Sequence, residues 1–281
     1  MIAICPNPFR DTGLEITKKA AALLKAEGVD SVVCPVFSEG EPGVIPPDVE
    51  ERVLEDEAPR CNLVLVVGGD GTILEVARRL HHQPMPILGI NLGTKGFMST
   101  LEPEDIELLR KVAHGGYAVS RRMMLDVRLL RNGETLCHHT ALNDAVIHGY
   151  GDCIRLSAAC ESGKITSFSG DGIILATPTG STGYSMSAGG PIVEPEAQNI
   201  IISPICPHAI GARSFVLGAN RIVKVTAEHL HGRRAYLSVD GKWTVDLAGG
   251  DVLEVSRAEH ETLMVDLELK SFFESAYEKL S

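Results

Sequence analysis

The 281-residue chain has 26 Lys and Arg residues against 37 Asp and Glu residues, and its net charge of −11 argues against a protein that wraps a nucleic-acid backbone. An aromatic content of only 5% also argues against single-strand binding by base stacking. No apolar run approaches the roughly 20 residues of a membrane span. The seven cysteines include no Cys-x-x-Cys pair, so we expect reduced thiols in a cytoplasmic protein.

The first part of the chain alternates strand and helix signals. Apolar runs predict strands at Ile2–Cys5, Ser31–Val36, Leu63–Val67 and Pro86–Leu92. Apolar residues at helical spacing predict helices at Leu14–Glu27, Ile73–Leu80 and Pro103–Ala113. The acidic, Gly- and Pro-rich stretch Ser38–Asp48 predicts a surface loop. Alternating units of this kind predict a parallel sheet with helices on both faces.

From about Tyr117 the pattern changes to short strands separated by turns. Asn132-Gly133, between Leu125–Leu130 and Thr135–Leu142, predicts a β-hairpin. Further strands are predicted at Arg155–Cys160, Ile173–Ala176, Ile222–Ala227, Ala235–Val239, Val252–Val255 and Thr262–Leu269, and a helix at Phe272–Leu280. We therefore expect a Rossmann-like α/β domain over residues 1–118 and a β-rich sandwich domain over residues 119–270. The C-terminal helix, residues 271–281, can pack back on the first domain.

The pentapeptide Gly68-Gly69-Asp70-Gly71-Thr72 follows a predicted buried strand and precedes a predicted helix. Open α/β sheets bind ligands at such strand ends, and glycines let the backbone approach a phosphate. The loop has neither the Gly-Lys-Ser/Thr of a P-loop nor the spacing of a dinucleotide fingerprint. An Asp inside an anion-binding turn predicts a metal ligand or a proton acceptor, with a simple tight turn as the alternative.

Three more segments are rich in polar side chains or glycine. Asn91–Phe97 follows another strand of the same sheet, so we expect it near the first loop. The side chains of Asn143 and Asp144 can hydrogen-bond to sugar hydroxyls or to an amide edge. Gly170–Pro191 combines a dense Thr/Ser/Gly loop with a predicted short helix at Tyr184–Ala188. Structural turns are the alternative for the first two. Thr179 breaks the Gly-x-Ser-x-Gly pattern around Ser181, which argues against a hydrolase nucleophile. Cys137-His138-His139 is a weak metal candidate, because neighbouring strand residues face opposite ways.

Together with Pro204–His208 and Val239-Asp240-Gly241, these segments resemble the NAD kinase family from about Leu63 to Val255. The string Thr177-Pro-Thr-Gly-Ser-Thr182 is specific to that family, whereas phosphofructokinases and diacylglycerol or sphingosine kinases carry loops similar to Gly68–Thr72. The resemblance implies an enzyme that moves the γ-phosphoryl group of ATP to the 2′-hydroxyl of the adenosine ribose of NAD, making NADP. It also implies a divalent metal, expected to be Mg²⁺, on the phosphates. Polyphosphate is an alternative donor.

The resemblance also implies residue roles. Asp70 is expected to accept the proton of that hydroxyl at its ordinary pKa, and the donor phosphates are expected on Gly68, Gly69, Gly71 and Thr72. The NAD pocket is expected to contain Asn143, Asp144, Asp171, Thr179, Thr182, Gly183, Tyr184, Ser185 and Ser187, with Tyr184 stacked on an NAD ring. No metal ligand is assigned. Asp171 acts across a subunit interface in the family, which implies a homodimer or homotetramer with a shared NAD site.

Some positions depart from the family pattern. Ser169 stands where many bacterial members have Arg, which leaves discrimination between NAD and NADH open. Lys242 stands where some relatives have Gln, and Cys206 leaves the contact at its position open. Two other functions stay in view. A lipid or sugar kinase would keep Gly68–Thr72 but has no need of Thr177–Tyr184, and a non-catalytic NAD sensor has no need of Asp70.

Overall fold

The computed structural model describes residues 1–37, 43–93, 96–209 and 211–280, and only the backbone of residues 243, 244 and 280. Within these residues the strands are β1 (Ile2–Pro6), β2 (Ser31–Val33), β3 (Leu63–Gly68), β4 (Pro86–Asn91), β5 (Ala118–Arg131), β6 (Glu134–Ala141), β7 (Asp144–Gly149), β8 (Ile154–Cys160), β9 (Gly163–Gly170), β10 (Gly172–Ala176), β11 (Asn199–Ile205), β12 (Phe215–Gly218), β13 (Val223–Ala227), β14 (Ala235–Val239), β15 (Lys242–Asp246) and β16 (Val252–Asp266). The α-helices are α1 (Glu15–Ala26), α2 (Leu54–Glu57), α3 (Asp70–Arg79), α4 (Leu109–Ala113), α5 (Tyr184–Ser187) and α6 (Phe272–Leu280). None of the helices in the described part of the chain is long and apolar enough to span a membrane.

The chain folds into two compact units, and the first contains Met1–Arg121 and Thr262–Ser281. Its strands β2, β1, β3 and β4 are parallel neighbours in that order, and the last residues of β16 pair in parallel with β4. Every residue of β3 is buried, as its continuous branched apolar run predicts for a central strand. Apolar side chains of α1 and α4 join the same core, so the predicted α/β architecture is confirmed.

Two helices of this unit begin differently from the sequence prediction. The helix predicted from Ile73 begins three residues earlier, at Asp70, because Gly69 takes an extended conformation and serves as its N-cap. The helix predicted from Pro103 opens as a 3₁₀ helix over Pro103–Leu108 and continues as α4. Glu102 and Asp105 form a capping box that fixes the start of that 3₁₀ helix.

The second unit contains Arg122–Glu261 and is built from antiparallel sheet. One sheet has the strand order β12-β11-β10-β7-β14-β15. In the other, β13 lies between β16 and β8, and β8 pairs with β9. Side chains of both sheets share one apolar core, including Ile147 and Ile173 from the first sheet and Leu156 and Val225 from the second. The predicted β-rich sandwich is therefore confirmed, and the boundaries at residues 118 and 270 stay predictions.

The strand predictions for this unit were right in part. The hairpin at Asn132-Gly133 is confirmed, with φ of 53° and 85° at the two turn residues, as a type I′ turn requires. The two strands predicted at Val252–Val255 and Thr262–Leu269 are wrong as separate elements, because one continuous strand, β16, runs from Val252 through Thr262 and ends at Asp266. Residues 38–42 of the predicted surface loop lie outside the described residues.

Candidate active site

In the first unit, the pentapeptide Gly68–Thr72 forms the turn from β3 into α3. Gly68 ends the strand, Gly69 is extended and Asp70 is the first helical residue. A Cβ atom on Gly68 would lie 2.5 Å from Thr72 Oγ1, whereas a Cβ on Gly71 would enter open space. The amides of Thr72 and Ile73 both donate to the Gly69 carbonyl, at 2.9 and 3.3 Å. The amides of Asp70 and Gly71 precede these first hydrogen bonds of the helix, and amides at a helix start favour an anion.

Asp70 is held by the segment that follows β4. Its Oδ2 accepts a hydrogen bond from the Phe97 amide at 2.8 Å, and its Oδ1 accepts one from the Met98 amide at 3.3 Å. Burial raises the pKa of Asp70, and these amides together with the charge of Lys279 offset part of that rise. The expectation of an ordinary pKa is therefore wrong, because partial burial of the carboxylate outweighs these favourable contacts.

The Asn91–Phe97 segment lies against the first loop, as its position on the sheet predicts. Asn91 donates to Glu102 Oε1 at 3.2 Å and accepts from the Gly93 amide at 2.9 Å, so its side chain fixes the turn after β4. A Cβ on Gly96 would lie 2.8 Å from Asp70 Oδ1, so glycine is needed where the segment passes that carboxylate. Thr94 and Lys95 of this segment lie outside the described residues.

In the second unit, Asn143 lies directly before β7, Asp144 is the first residue of that strand, and both are anchored by Asp240. The Asp240 carboxylate accepts from the amides of Leu142 at 2.8 Å, Asn143 at 2.8 Å and Asp144 at 3.0 Å. Asp144 is 5% exposed. Burial, and then the nearby charge of Asp240, raise the pKa of Asp144 to about 7. A carboxyl group of this kind changes its charge near neutral pH.

The Thr177–Thr182 loop packs directly on this anchor. The Thr177 amide donates to the Asn143 carbonyl at 2.9 Å, and the Thr177 hydroxyl donates to the Leu142 carbonyl at 2.6 Å. A Cβ on Gly180 would lie only 2.1 Å from the Asn143 carbonyl oxygen, so a glycine is required there. The two polar segments of this unit, Asn143-Asp144 and Gly170–Pro191, are therefore in direct contact.

Three hydroxyl groups in and beside the loop are hydrogen-bonded to other protein groups, whereas that of Thr179 is not. Ser181 donates to the Val193 carbonyl at 3.2 Å and accepts from the Val193 amide at 3.0 Å, so it holds the loop rather than facing a substrate. Ser185 is fully buried against Ser203, with 2.9 Å between the two hydroxyl oxygens. Thr182 donates to the Thr179 carbonyl at 3.2 Å. The Thr179 hydroxyl, by contrast, is buried without a hydrogen-bond partner. Such an orphaned group fits a site that a ligand completes.

The remaining predicted pocket residues lie at the surface around α5. Tyr184 is 41% exposed, Ser187 is exposed, and Gly183 precedes α5. Burial raises the pKa of Tyr184, and Asp171, Cys206 and Asp144 are close enough to contribute to that rise. Asp171 is hydrogen-bonded to the Cys206 thiol and thereby raises the pKa of that thiol. The contact of Cys206 that the sequence left open is therefore with Asp171.

Sequence reasoning missed three further residues of these clusters. Asp240 was part of the family match Val239-Asp240-Gly241 but had no role assigned, although this residue, with φ of 49°, anchors Asn143 and Asp144. Ser99 has a buried hydroxyl without a partner beside the Asp70 segment, and nothing in its local pattern marked it. Lys279 donates from the end of the chain to the carbonyl of Gly96.

No group of three or more His, Cys, Asp or Glu side chains suited to a metal ion occurs among the residues that the structure describes. In the Cys137-His138-His139 run of β6, the exposed His138 side chain is hydrogen-bonded to Asp126, with 2.5 Å between His138 Nε2 and Asp126 Oδ1. Among the described residues, therefore, no side-chain cluster is available to hold a metal ion on its own.

Comparison with known proteins gives consistent matches over most of the chain. Residues 3–117 match the family model described as the ATP-NAD kinase N-terminal domain, and residues 142–267 match the ATP-NAD kinase C-terminal domain. The chain is 41% identical to the NAD kinase of Trichlorobacter lovleyi over 217 residues, 76% of each chain. It is 34% identical to the NAD kinase of Ruminiclostridium cellulolyticum over 275 residues, which cover 97% of this chain and 94% of the relative. It also resembles the solved structure of an NAD kinase from Archaeoglobus fulgidus in complex with ATP, with a TM-score of 0.77, 26% identity and coverage of 100% of this chain and 98% of that chain.

Proposed function

The chain belongs to the ATP-NAD kinase family and is a kinase, and we propose that it transfers the γ-phosphoryl group of ATP to the 2′-hydroxyl of the adenosine ribose of NAD. The observation that carries the proposal is the Asp70 carboxylate, half-buried at the N-terminus of α3 and oriented by two backbone amides. A carboxylate used only to shape a tight turn would gain nothing from burial, which costs free energy whenever the group is charged.

Asp70 is the proposed proton acceptor. Burial raises the pKa of Asp70 and makes it a stronger base than an exposed carboxylate, while the Phe97 and Met98 amides counter part of that rise and fix the direction of the carboxylate. Phosphoryl transfer passes through a loose transition state, so most of the acceleration comes from alignment of the acceptor and the donor. We therefore assign Asp70 a positioning effect on the hydroxyl in addition to the proton transfer.

The donor phosphates are proposed to lie on the Gly68–Thr72 turn. The close approach of Gly68 to Thr72 shapes this turn, and the first amides of α3 supply hydrogen bonds and the positive end of the helix dipole. No P-loop lysine is present in this pentapeptide. We propose that Mg²⁺ enters with ATP and neutralises its phosphate charge, since the described side chains form no resident metal cluster.

The NAD pocket is proposed on the second unit. The side chains of Asp144 and Asn143 would bind ribose hydroxyls. Asp240 supports this arrangement by holding both residues through their backbone amides, which does not engage their side chains. The unpartnered Thr179 hydroxyl would bind a polar edge of the dinucleotide, and the exposed ring of Tyr184 would stack on one of its rings. Thr182, Gly183 and Ser185 would shape the loop, and Ser187 would lie at the rim of the pocket.

We also propose polyphosphate as a second phosphoryl donor.

The protein is proposed to be a cytoplasmic homodimer or homotetramer in which Asp171 reaches NAD bound to a neighbouring subunit. Light scattering on a sizing column measures the assembly, and a shared site makes a distinct prediction. Mixing Asp171→Asn subunits with Asp70→Asn subunits should restore part of the activity that each variant lacks alone. Activity that never exceeds the sum of the two separate variants would contradict the shared site.

The test of the main proposal is NADP formation by the purified chain with ATP, Mg²⁺ and NAD. Asp70→Asn keeps the size of the side chain but removes the proton acceptor, and general-base loss of this kind lowers kcat by about 10²–10⁴-fold. Asp56→Asn, at an exposed position of α2 in the same unit, is the matched control and should keep full activity. Turnover of Asp70→Asn above about half that of the wild type would contradict the assigned role.

A further inference from the structure

The C-terminal helix α6 brings a lysine to the segment that holds Asp70. Lys279 lies in the last turn of α6, and its ammonium group donates to the carbonyl of Gly96. The same ammonium lies 5.2 Å from the centre of the Phe97 ring, within the range of a cation–π interaction. Ala276, one turn earlier on the same helix, is buried. Helix α6 is therefore packed at Ala276, one turn before the position from which Lys279 contacts Gly96.

The two hydrogen bonds of this segment share one peptide group. The Gly96 carbonyl accepts from Lys279, and the amide of the same peptide, that of Phe97, donates to Asp70 Oδ2 at 2.8 Å. In a planar trans peptide the carbonyl and the amide point in opposite directions, so the peptide is held from both sides. A cation on the carbonyl also polarises the peptide and strengthens the hydrogen bond that its amide donates.

We propose that Lys279 is a positioning residue for the phosphoryl-transfer reaction, acting on Asp70 through the Gly96–Phe97 peptide group. The inference rests on the proposed role of Asp70. The orientation of the proton acceptor then depends on Lys279 of α6 as well as on the amides of Phe97 and Met98. The glycine at position 96 allows the peptide group to pack this closely against the Asp70 carboxylate, since a Cβ there would lie 2.8 Å from Asp70 Oδ1.

The charged and polar groups around Asp70 give the expected direction of the pH effect. Lys279 on α6 is the cation that acts on the carboxylate, and the amides of Phe97 and Met98 donate to it. The Ser99 amide is close enough to lower the pKa a little further, and Glu102 accepts a hydrogen bond from Asn91. Burial raises the pKa of Asp70, and the Lys279 charge lowers it. Loss of that charge should therefore raise the pKa of Asp70 further and move the acid limb of the kcat profile to higher pH.

The experiment compares Lys279→Met, Lys279→Arg and the control Lys270→Met in the full chain. Lys270 lies just before α6 and forms an exposed ion pair with Glu278 of that helix. Its loss therefore tests the general effect of removing a lysine from this part of the chain. For Lys279→Met we expect kcat about tenfold lower at saturating ATP and NAD, because misplaced catalytic groups cost rates of this order. The acid limb should move up by about half a pH unit or more. Lys279→Arg should restore most of both quantities.

Hydrogen exchange gives a measurement that does not depend on turnover. The Phe97 amide should exchange faster in Lys279→Met than in Lys270→Met, at equal global stability. The inference is overturned if Lys279→Met matches Lys270→Met in kcat, in the acid limb and in Phe97 exchange. It is also overturned if only KM for ATP rises, because Lys279 would then bind the donor directly. If Asp70→Asn itself is fully active, the proposed function fails instead, which separates the two failures.

Discussion

The buried carboxyl of Asp144 should make the protein less stable at high pH, and Asp144→Asn should remove that loss. The side chain is 5% exposed and lies beside the Asp240 carboxylate, so ionising it means placing a second negative charge in a poorly hydrated place. The pKa of Asp144 is raised from 3.8 to about 7 in the folded protein. The folded protein therefore holds a proton there that the unfolded chain has already released.

The sign and the size of the effect follow from proton linkage. Between pH 3.8 and 7 the folded state binds more protons than the unfolded state, so stability is full below pH 3.8 and is lost as pH rises through 7. The interval of about three pKa units corresponds to an upper limit of about 4 kcal/mol, at 1.36 kcal/mol per unit. An asparagine still has to find hydrogen-bond partners in the same place, so we expect a net gain of about 1–3 kcal/mol at pH 8.

The assay is urea unfolding of the wild type, Asp144→Asn and the control Glu134→Gln, an exposed carboxyl on β6 of the same unit, at several values between pH 4 and pH 8.5. The difference between Asp144→Asn and the wild type should grow from near zero at pH 4 to its full size above pH 7, and the control should show no such growth. A difference that is constant with pH, or a variant that is less stable at pH 8, would refute the reasoning. The same variant should bind NAD more weakly, because a proposed ribose ligand has been changed.

Three further outcomes are expected. Gly68→Ala should lower Tm and raise KM for ATP more than Gly71→Ala does, because a Cβ meets Thr72 Oγ1 at 2.5 Å only at position 68; equal effects in a thermal melt and in steady-state kinetics would contradict this. Tyr184→Ala should raise KM for NAD by roughly two- to tenfold with KM for ATP unchanged, as stacking of the exposed ring predicts; unfolding at room temperature would instead make the ring a core residue. The wild type should phosphorylate NADH measurably, and Ser169→Arg should raise the ratio of kcat/KM for NAD to that for NADH by more than about twofold, since one added charge acts over a few ångströms; an unchanged ratio would remove the idea.

Local patterns predicted much of the fold. The continuous apolar run of β3 and the Asn132-Gly133 turn each carry their structural signal within a few residues, and both predictions were confirmed. The strand β11 was missed because Pro204 interrupts an otherwise apolar run, and proline is disfavoured inside sheets. The strand β9 was missed because its residues alternate small and polar side chains without a strong apolar face. It is held in the sheet by pairing with β8, which ends at Cys160, just before β9 begins at Gly163.

The chemistry of the candidate site was predictable in kind but not in detail. A carboxylate within a glycine turn after a buried strand marked Asp70 from the sequence alone. Its raised pKa depends on exclusion of water by residues around it, and the approach of Lys279 to Gly96 joins positions far apart in the chain. The anchoring of Asn143 and Asp144 by Asp240 is likewise a contact across about a hundred residues that no local pattern encodes.

The most direct test of the central claim is to identify the product that the purified chain makes from ATP, Mg²⁺ and NAD. Phosphorus NMR and mass spectrometry should show one phosphate added to the 2′-oxygen of the adenosine ribose, formed together with an equal amount of ADP. The same signal should be almost absent with Asp70→Asn and unchanged with Asp56→Asn. Phosphate transferred to another position or to no acceptor, or a full signal with Asp70→Asn, would contradict the account.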